Sequence, residues 1–270
     1  MAKENPLASN LTLEQQKNLF GNAYLNMLWH CPTDQRFPYW VHLPDCYYDE
    51  KDPHYKLLVI IHGTGCAVED YVRHAKELAD RDHVAVLAPL FPGGLIQRDD
   101  FNSYKLLSCD GVRYDQILLD MIDDMAKRYP GVETDKFFLF GHSGGGQFVN
   151  RFLFAHPEKL RACAIGAPGR PTFLNPDEDY FWGTRDFKNY FGHDVDLAAV
   201  QKVPVLVIVG ENDTKFIGDS PYGDNRVARM KSLQKNLQDH GVHTELTILP
   251  GFAHEGGEKE RVQAAQHFFE

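Results

Sequence analysis

Nowhere does the sequence reach the roughly 18 uninterrupted apolar residues that a membrane-spanning helix needs, so no such span is expected. Cysteine is scarce as well. Cys31, Cys46, Cys66, Cys109 and Cys163 are odd in number, widely spaced and without a C-x-x-C pair. That pattern excludes a disulfide framework and fits reduced thiols in the cytoplasm. Positive charge is in deficit, and the formal net charge of −10 is spread along the chain. Such a surface repels nucleic acid and anionic membrane, so neither is expected as a partner. The opening residues, Met1 to Gln16, are polar and lack a basic stretch followed by an apolar one, so no secretory leader is expected. No H-E-x-x-H is present, and His254-Glu255 has no second histidine at metal-binding spacing, so neither a metal nor another cofactor is expected. There is no internal repeat and no low-complexity tract.

What the 270 residues do contain is an alternation of short apolar runs and amphipathic stretches. The runs 56–63, 84–91, 137–141, 161–167 and 203–210 are almost continuously apolar and rich in Val, Ile, Leu and Phe. Strands covered on both faces of a parallel sheet read this way. A last strand is expected at 244–251 and an early one, at an antiparallel edge, at 38–44. Between them, 68–80, 114–128, 145–155 and 225–240 carry helical periodicity; in 114–128, Leu118, Met121, Ile122 and Met125 share one face. The alternation predicts an α/β fold with a mostly parallel, doubly wound sheet and helices on both faces. We place this domain at 36–270, after an N-terminal extension, 1–35, with a helix around 12–29. Residues 168–200 break the alternation with prolines, glycines and many aromatics. They are expected to form an insertion over the sheet's edge.

The most informative stretch is Phe137-Phe138-Leu139-Phe140-Gly141-His142-Ser143-Gly144-Gly145-Gly146. An apolar strand stops at a serine set among glycines. A serine hydroxyl becomes a nucleophile when a base takes its proton, a third group orients the base and donors await the oxyanion. Presenting that oxygen takes a sharp strand-to-helix turn with small residues two places before and after it. Gly141 and Gly145 meet that requirement, and the pattern is the G-x-S-x-G elbow in its required context. Ser143 is therefore the candidate nucleophile, against the reading of an incidental serine in a glycine-rich turn.

The partners follow from their places after strands. The N–H of Gly144, next to the serine, is one expected oxyanion donor. The loop His62-Gly63-Thr64-Gly65, after an earlier strand, supplies the second, with Thr64 preferred and Gly65 next. Gly63-Thr64-Gly65 also begins a dinucleotide fingerprint, but Val68 stands where the third glycine belongs. Asp213, in Gly210-Glu211-Asn212-Asp213, is the candidate acid, with Glu211 as fallback. His254, in a glycine-flanked loop after the final strand, is the candidate base, which gives the chain order Ser, acid, His.

With these residues in place, the chain from about residue 36 onward resembles the α/β-hydrolase superfamily. The resemblance rests on His62-Gly63, Gly141-His142-Ser143-Gly144-Gly145, Gly210-Glu211-Asn212-Asp213 and Gly251-Phe252-Ala253-His254. The section around the elbow is most similar to the esterase branch with polyhydroxyalkanoate depolymerases and feruloyl esterases, and dienelactone-hydrolase-like proteins are similar too. The resemblance implies a serine-hydrolase fold and triad but no substrate. Two departures stand out. Those secreted esterases carry a cysteine and a glutamine soon after the His-Gly, where this chain has Thr64-Gly65-Cys66-Ala67. Dienelactone hydrolases use a cysteine nucleophile, where this chain has Ser143.

The expected function is hydrolysis of a small ester, lactone or amide through an acyl-enzyme, on an aromatic or apolar small molecule. Tyr180, Phe181, Trp182 and Phe187 of the insertion are candidates to line the pocket, against the reading that they pack the insertion onto the body. Arg170 and Arg185 could meet a substrate carboxylate or lie on the surface. The loop 217–226 is expected to border the site near Asp213. Alternatives are a lyase or cofactor-free oxygenase on the same fold, and a ligand receptor that turns over slowly. A homodimer is the expected assembly.

Overall fold

The computed structural model describes residues 12–49 and 54–270, so much of the N-terminal segment read for a leader lies outside the described residues. Its ten strands are β1 (Asn26–His30), β2 (Pro38–His42), β3 (Tyr55–Ile61), β4 (Val84–Pro89), β5 (Ser108–Cys109), β6 (Val112–Arg113), β7 (Val132–His142), β8 (Leu160–Gly166), β9 (Val205–Gly210) and β10 (Thr244–Leu249). Eight of them form one sheet in the order β1-β2-β4-β3-β7-β8-β9-β10, and β5 and β6 make a separate small hairpin. From β4 to β10 every neighbouring pair is parallel. β1 with β2 and β2 with β4 are antiparallel. The helices are α1 (Leu13–Phe20), α2 (Val68–Asp82), α3 (Tyr114–Arg128), α4 (Gly144–Ala155), α5 (Phe187–Phe191), α6 (Leu197–Val200), α7 (Arg226–Asp239) and α8 (Glu258–Phe269).

Successive side chains of a strand point to opposite faces, and here both faces are covered. Leu57, Val59 and Ile61 of β3, Leu139 of β7, Cys163 and Ile165 of β8, and Val205, Val207 and Val209 of β9 enter one core. α3, α4 and α7 contribute to it through residues such as Leu118, Met121, Phe148, Phe152, Met230 and Leu233. The alternate residues Leu58, Ile60, Phe138, Phe140, Ala162, Ala164, Leu206 and Ile208 enter the other core, closed by Tyr71, Ala75 and Ala79 of α2 and Val262 and Ala265 of α8. Two-sided burial is why these strands read as continuous apolar runs rather than as alternating ones.

Three expectations are corrected. The helix predicted over 12–29 ends at Phe20; a 3-10 turn follows, and Asn26–His30 is a strand. That strand, β1, is the antiparallel edge, so β2 lies one place inside it. The insertion does not lie over a sheet edge. Thr172 is hydrogen-bonded to Asn150 and Arg151 of α4, and the backbone of Leu174 to Asn236 of α7. These contacts hold it against α4 and α7.

Candidate active site

The turn between β7 and α4 is tight because glycines allow backbone to touch backbone. A Cβ on Gly141 would lie 2.6 Å from the carbonyl oxygen of Gly145, and one on Gly146 would collide with the carbonyl oxygen of Gly166 in β8. Ser143 sits between them at φ 57° and ψ −112°, in backbone that a side-chain-bearing residue adopts rarely. Its amide donates to the carbonyl of Gly166 at 2.8 Å, which fixes the elbow to the neighbouring strand. The hydroxyl is thereby aimed out of the sheet at the first turn of α4.

The loop after β10 meets it there. His254 Nε2 lies 2.9 Å from Ser143 Oγ, and His254 Nδ1 lies 2.7 Å from Asp213 Oδ2. A carboxylate only accepts, so Nδ1 carries the proton and Nε2 is left to accept from the serine hydroxyl. Asp213 follows β9 and is 1% exposed. Its second oxygen lies 3.4 Å from an Nη of Arg226. Glu211 does not reach the histidine; it accepts from the Gly251 N–H at 2.9 Å, in the turn leading to His254.

The loop after β3 lies against the elbow from the other side. A Cβ built on Gly144 would be 3.1 Å from the backbone nitrogen of Thr64, so the two amides expected to hold an oxyanion are neighbours. Among the described residues neither of these N–H groups has a backbone carbonyl partner. His62 supports the loop. Its Nε2 accepts from the Phe91 N–H at 3.0 Å, so Nδ1 carries the proton and donates to the Gly63 carbonyl at 2.6 Å. Burial pushes its pKa down to about 4, which keeps the ring neutral near pH 7.

A cleft of about 420 Å³ runs beside this cluster, lined among others by Lys105, Gln147, Arg170, Phe181, Ile217 and Arg226. Ile217 and Arg226 belong to the loop expected to border the site. Of the four aromatic residues expected to line the pocket, Phe181 alone does so. Phe187 is fully buried and Tyr180 nearly so, packed on one another and on Phe191. Trp182 stacks near Tyr222, with the Arg229 guanidinium over its ring. These rings pack the insertion onto the body, because a segment so short of regular structure needs large side chains to bury area. Arg185 is exposed and paired with Asp179, away from the cleft.

The pattern of the dienelactone hydrolase family matches residues 44–267. The chain belongs to this family. Membership makes it an enzyme that hydrolyses ester-type bonds. No curated protein sequence matches the chain. Among solved structures, it is similar to a poly(3-hydroxybutyrate) depolymerase from Bordetella parapertussis, at 20% identity and a TM-score of 0.72, over 96% of this chain and 94% of the other. A poly(aspartic acid) hydrolase-1 from Sphingomonas sp. KT-1 is similar at 19% identity and a TM-score of 0.69, over 90% and 96%. A ferulic acid esterase is similar at 17% identity and a TM-score of 0.63, over 90% and 94%. At these identities the likeness is one of fold.

In this dienelactone hydrolase family member, three residues beside the cluster carried no signal in sequence. His142 is 5% exposed, and its Nε2 lies 3.0 Å from the carbonyl oxygen of His254. Burial holds its pKa well below the ordinary histidine value, so Nε2 acts as a neutral N–H donor. Arg261 of α8 is fully buried and donates to the carbonyls of Ala253, His254 and Gly256. Arg226 braces Asp213. A missed helix hid Arg261, and polar surroundings hid Arg226. Among the described residues no group of His, Cys, Asp or Glu is placed to hold a metal ion, and no helix is long and apolar enough to cross a membrane.

Proposed function

We propose that the protein is a serine hydrolase that cleaves a small ester or lactone through an acyl-enzyme on Ser143, with amides as harder substrates for the same groups. The observation that carries this reading is the His254 imidazole, hydrogen-bonded at both ends, 2.9 Å from Ser143 Oγ and 2.7 Å from Asp213. In the proposed first step His254 Nε2 takes the serine proton as Oγ bonds to the carbonyl carbon. Asp213 fixes the tautomer and faces the imidazolium that forms. The N–H groups of Gly144 and Thr64 hold the oxyanion. His254 then gives its proton to the leaving alcohol as the C–O bond breaks, and water repeats the sequence on the acyl-enzyme. Phe181, Leu106 and Ile217 offer the apolar contacts in the cleft. An odd number of widely spaced cysteines suits a cytoplasmic setting.

A fluorophosphonate probe followed by intact-mass measurement tests the reading. The wild type should gain one adduct and Ser143→Ala none, with turnover of an activated ester falling by roughly 10³-fold to 10⁶-fold in the variant. An unlabelled wild type of intact fold would remove the covalent mechanism and bring the lyase, oxygenase and receptor readings forward.

A further inference from the structure

The wall of the cleft is positive in a chain whose net charge is −10. Lys105, Arg170, Arg226 and Arg229 all line it. Their own partners leave the charge largely uncompensated. Arg229 is 2% exposed and spends its donors on the backbone carbonyls of Gly169, Gly218 and Gly223. Arg151, fully buried behind the wall, donates to the carbonyls of Lys105 and Arg170 and to Thr172 and Gln147. These two arginines therefore build the wall, and in doing so hold the backbone of Lys105 and Arg170 in place. Arg226 faces Asp213 at 3.4 Å.

Lys105 and Arg170 are different. Among the described residues neither is within ion-pair distance of a carboxylate. Lys105 is 7% exposed, and its ammonium has one hydrogen-bond acceptor, Asn102 Oδ1 at 2.6 Å. An ammonium carries three donors, so two are left for the cleft. Burying an ammonium without a close counter-ion is costly, and an arriving anion offsets that cost. The site lies close to the chemistry, because a Cβ on Gly144 would meet Lys105 Cε at 2.7 Å. Arg170 stands more exposed, with its guanidinium 5.9 Å from the centre of the Phe181 ring. Arg226 shares its charge with Asp213, which leaves Lys105 and Arg170 as the cations free to meet an anion.

We propose that Lys105 and Arg170, with Arg226 behind them, form a subsite for a substrate group bearing two negative charges, a phosphate-type group or a pair of carboxylates. The inference rests on the serine-hydrolase reading and names the substrate class of that same site. The substrate would be an ester or lactone that keeps this dianionic group bound while Ser143 attacks its carbonyl. A neutral ester of the same size would leave the buried Lys105 ammonium without a counter-ion.

The test measures how fast a fluorophosphonate labels Ser143 when the cleft is occupied by benzamide, benzoate, phthalate or phenylphosphonate, at constant ionic strength and near neutral pH. Protection should strengthen in that order of charge, with one of the two dianions half-protecting at a concentration about tenfold or more below that of benzoate. Phthalate as the tighter ligand identifies paired carboxylates, and phenylphosphonate a phosphate-type group. Lys105→Met and Arg170→Gln should each raise the dianion's half-protecting concentration by about tenfold while shifting benzamide far less. Labelling that proceeds normally but is slowed equally by benzamide, benzoate and both dianions would overturn the subsite and leave the hydrolase reading standing. Should the wild type take no label, the hydrolase reading falls and the subsite with it.

Discussion

The Nε2–H of His142 donates to the backbone carbonyl of His254 at 3.0 Å, and the two rings lie 4.9 Å apart. The residue beside the nucleophile thus holds the loop that carries the base, across 111 residues of sequence between Ser143 and His254. Displacing a reacting group by about 1 Å can cost roughly 10²-fold in rate. His142→Phe should lower kcat about tenfold or more with little change in KM. His142→Gln, whose amide can donate to the same carbonyl, should recover most of it. Equal loss in both variants, or a loss confined to KM, would show that His142 only fills space.

The glycine after Gly144 is required by close approach. A Cβ at Gly145 would strike the carbonyl oxygen of Ile61 and come within 2.8 Å of that of His62, both at the end of β3. Neither can retreat without breaking the sheet. Gly145→Ala should destabilise the fold by about 3 kcal/mol or more. At Gly65 a Cβ meets nothing within 4 Å, so Gly65→Ala should shift stability by under about 0.5 kcal/mol. Urea unfolding of both variants checks the contrast; similar midpoints would mean the elbow can relax.

Much of this site was legible because its signals are local. The turn from β7 into α4 needs small residues at fixed offsets from Ser143, Asp213 follows a strongly apolar strand, and His254 lies in a glycine-flanked loop after the last one. What was missed depends on tertiary contact. α8 buries little beyond Val262 and Ala265 among its apolar residues, so its periodicity is faint. β1 alternates between exposed and half-buried residues and looks like ordinary polar chain. The aromatics of 168–200 gave a signal of burial that two readings could share: Phe181 lines the cleft, while Tyr180, Trp182 and Phe187 pack the insertion onto the body. Lys105, in Asn102-Ser103-Tyr104-Lys105, looks like any surface lysine until Arg151 is seen gripping its carbonyl.

Arg261 joins α8 to the loop that carries the base. Its guanidinium reaches the carbonyls of Ala253 at 2.8 Å and His254 at 3.2 Å, and that of Gly256 as well. Burial pushes its pKa below the usual arginine value. Arg261→Met keeps most of the volume but leaves these carbonyls without a donor. Charged hydrogen bonds of this kind contribute about 1.5–3 kcal/mol each, and the variant should lose about 2–4 kcal/mol of stability. It should also lose kcat more than KM, since the His254 loop is released. Denaturant unfolding and steady-state kinetics on one preparation check both; unchanged stability would mean that water replaces the guanidinium.

The proposed dianion subsite has a pH dependence of its own. Lys105 has its pKa pushed down to about 8, first by burial and then by the Arg151 charge, with Arg170 adding to the depression and Asp100 and Cys66 opposing it. The Tyr104 hydroxyl beside it stays protonated, its pKa raised well above the ordinary value by burial. A lysine depressed to this range carries its charge below pH 8 and loses it above. Anion affinity should therefore be full at about pH 7 and fall as pH rises toward about 9.5. Phthalate suits the measurement, because its carboxylates stay ionised throughout this range. Lys105→Arg keeps the charge and should flatten the alkaline fall, while Lys105→Met should bind weakly at every pH. An alkaline fall that persists unchanged in Lys105→Met would assign the titration to another group and remove Lys105 from the subsite.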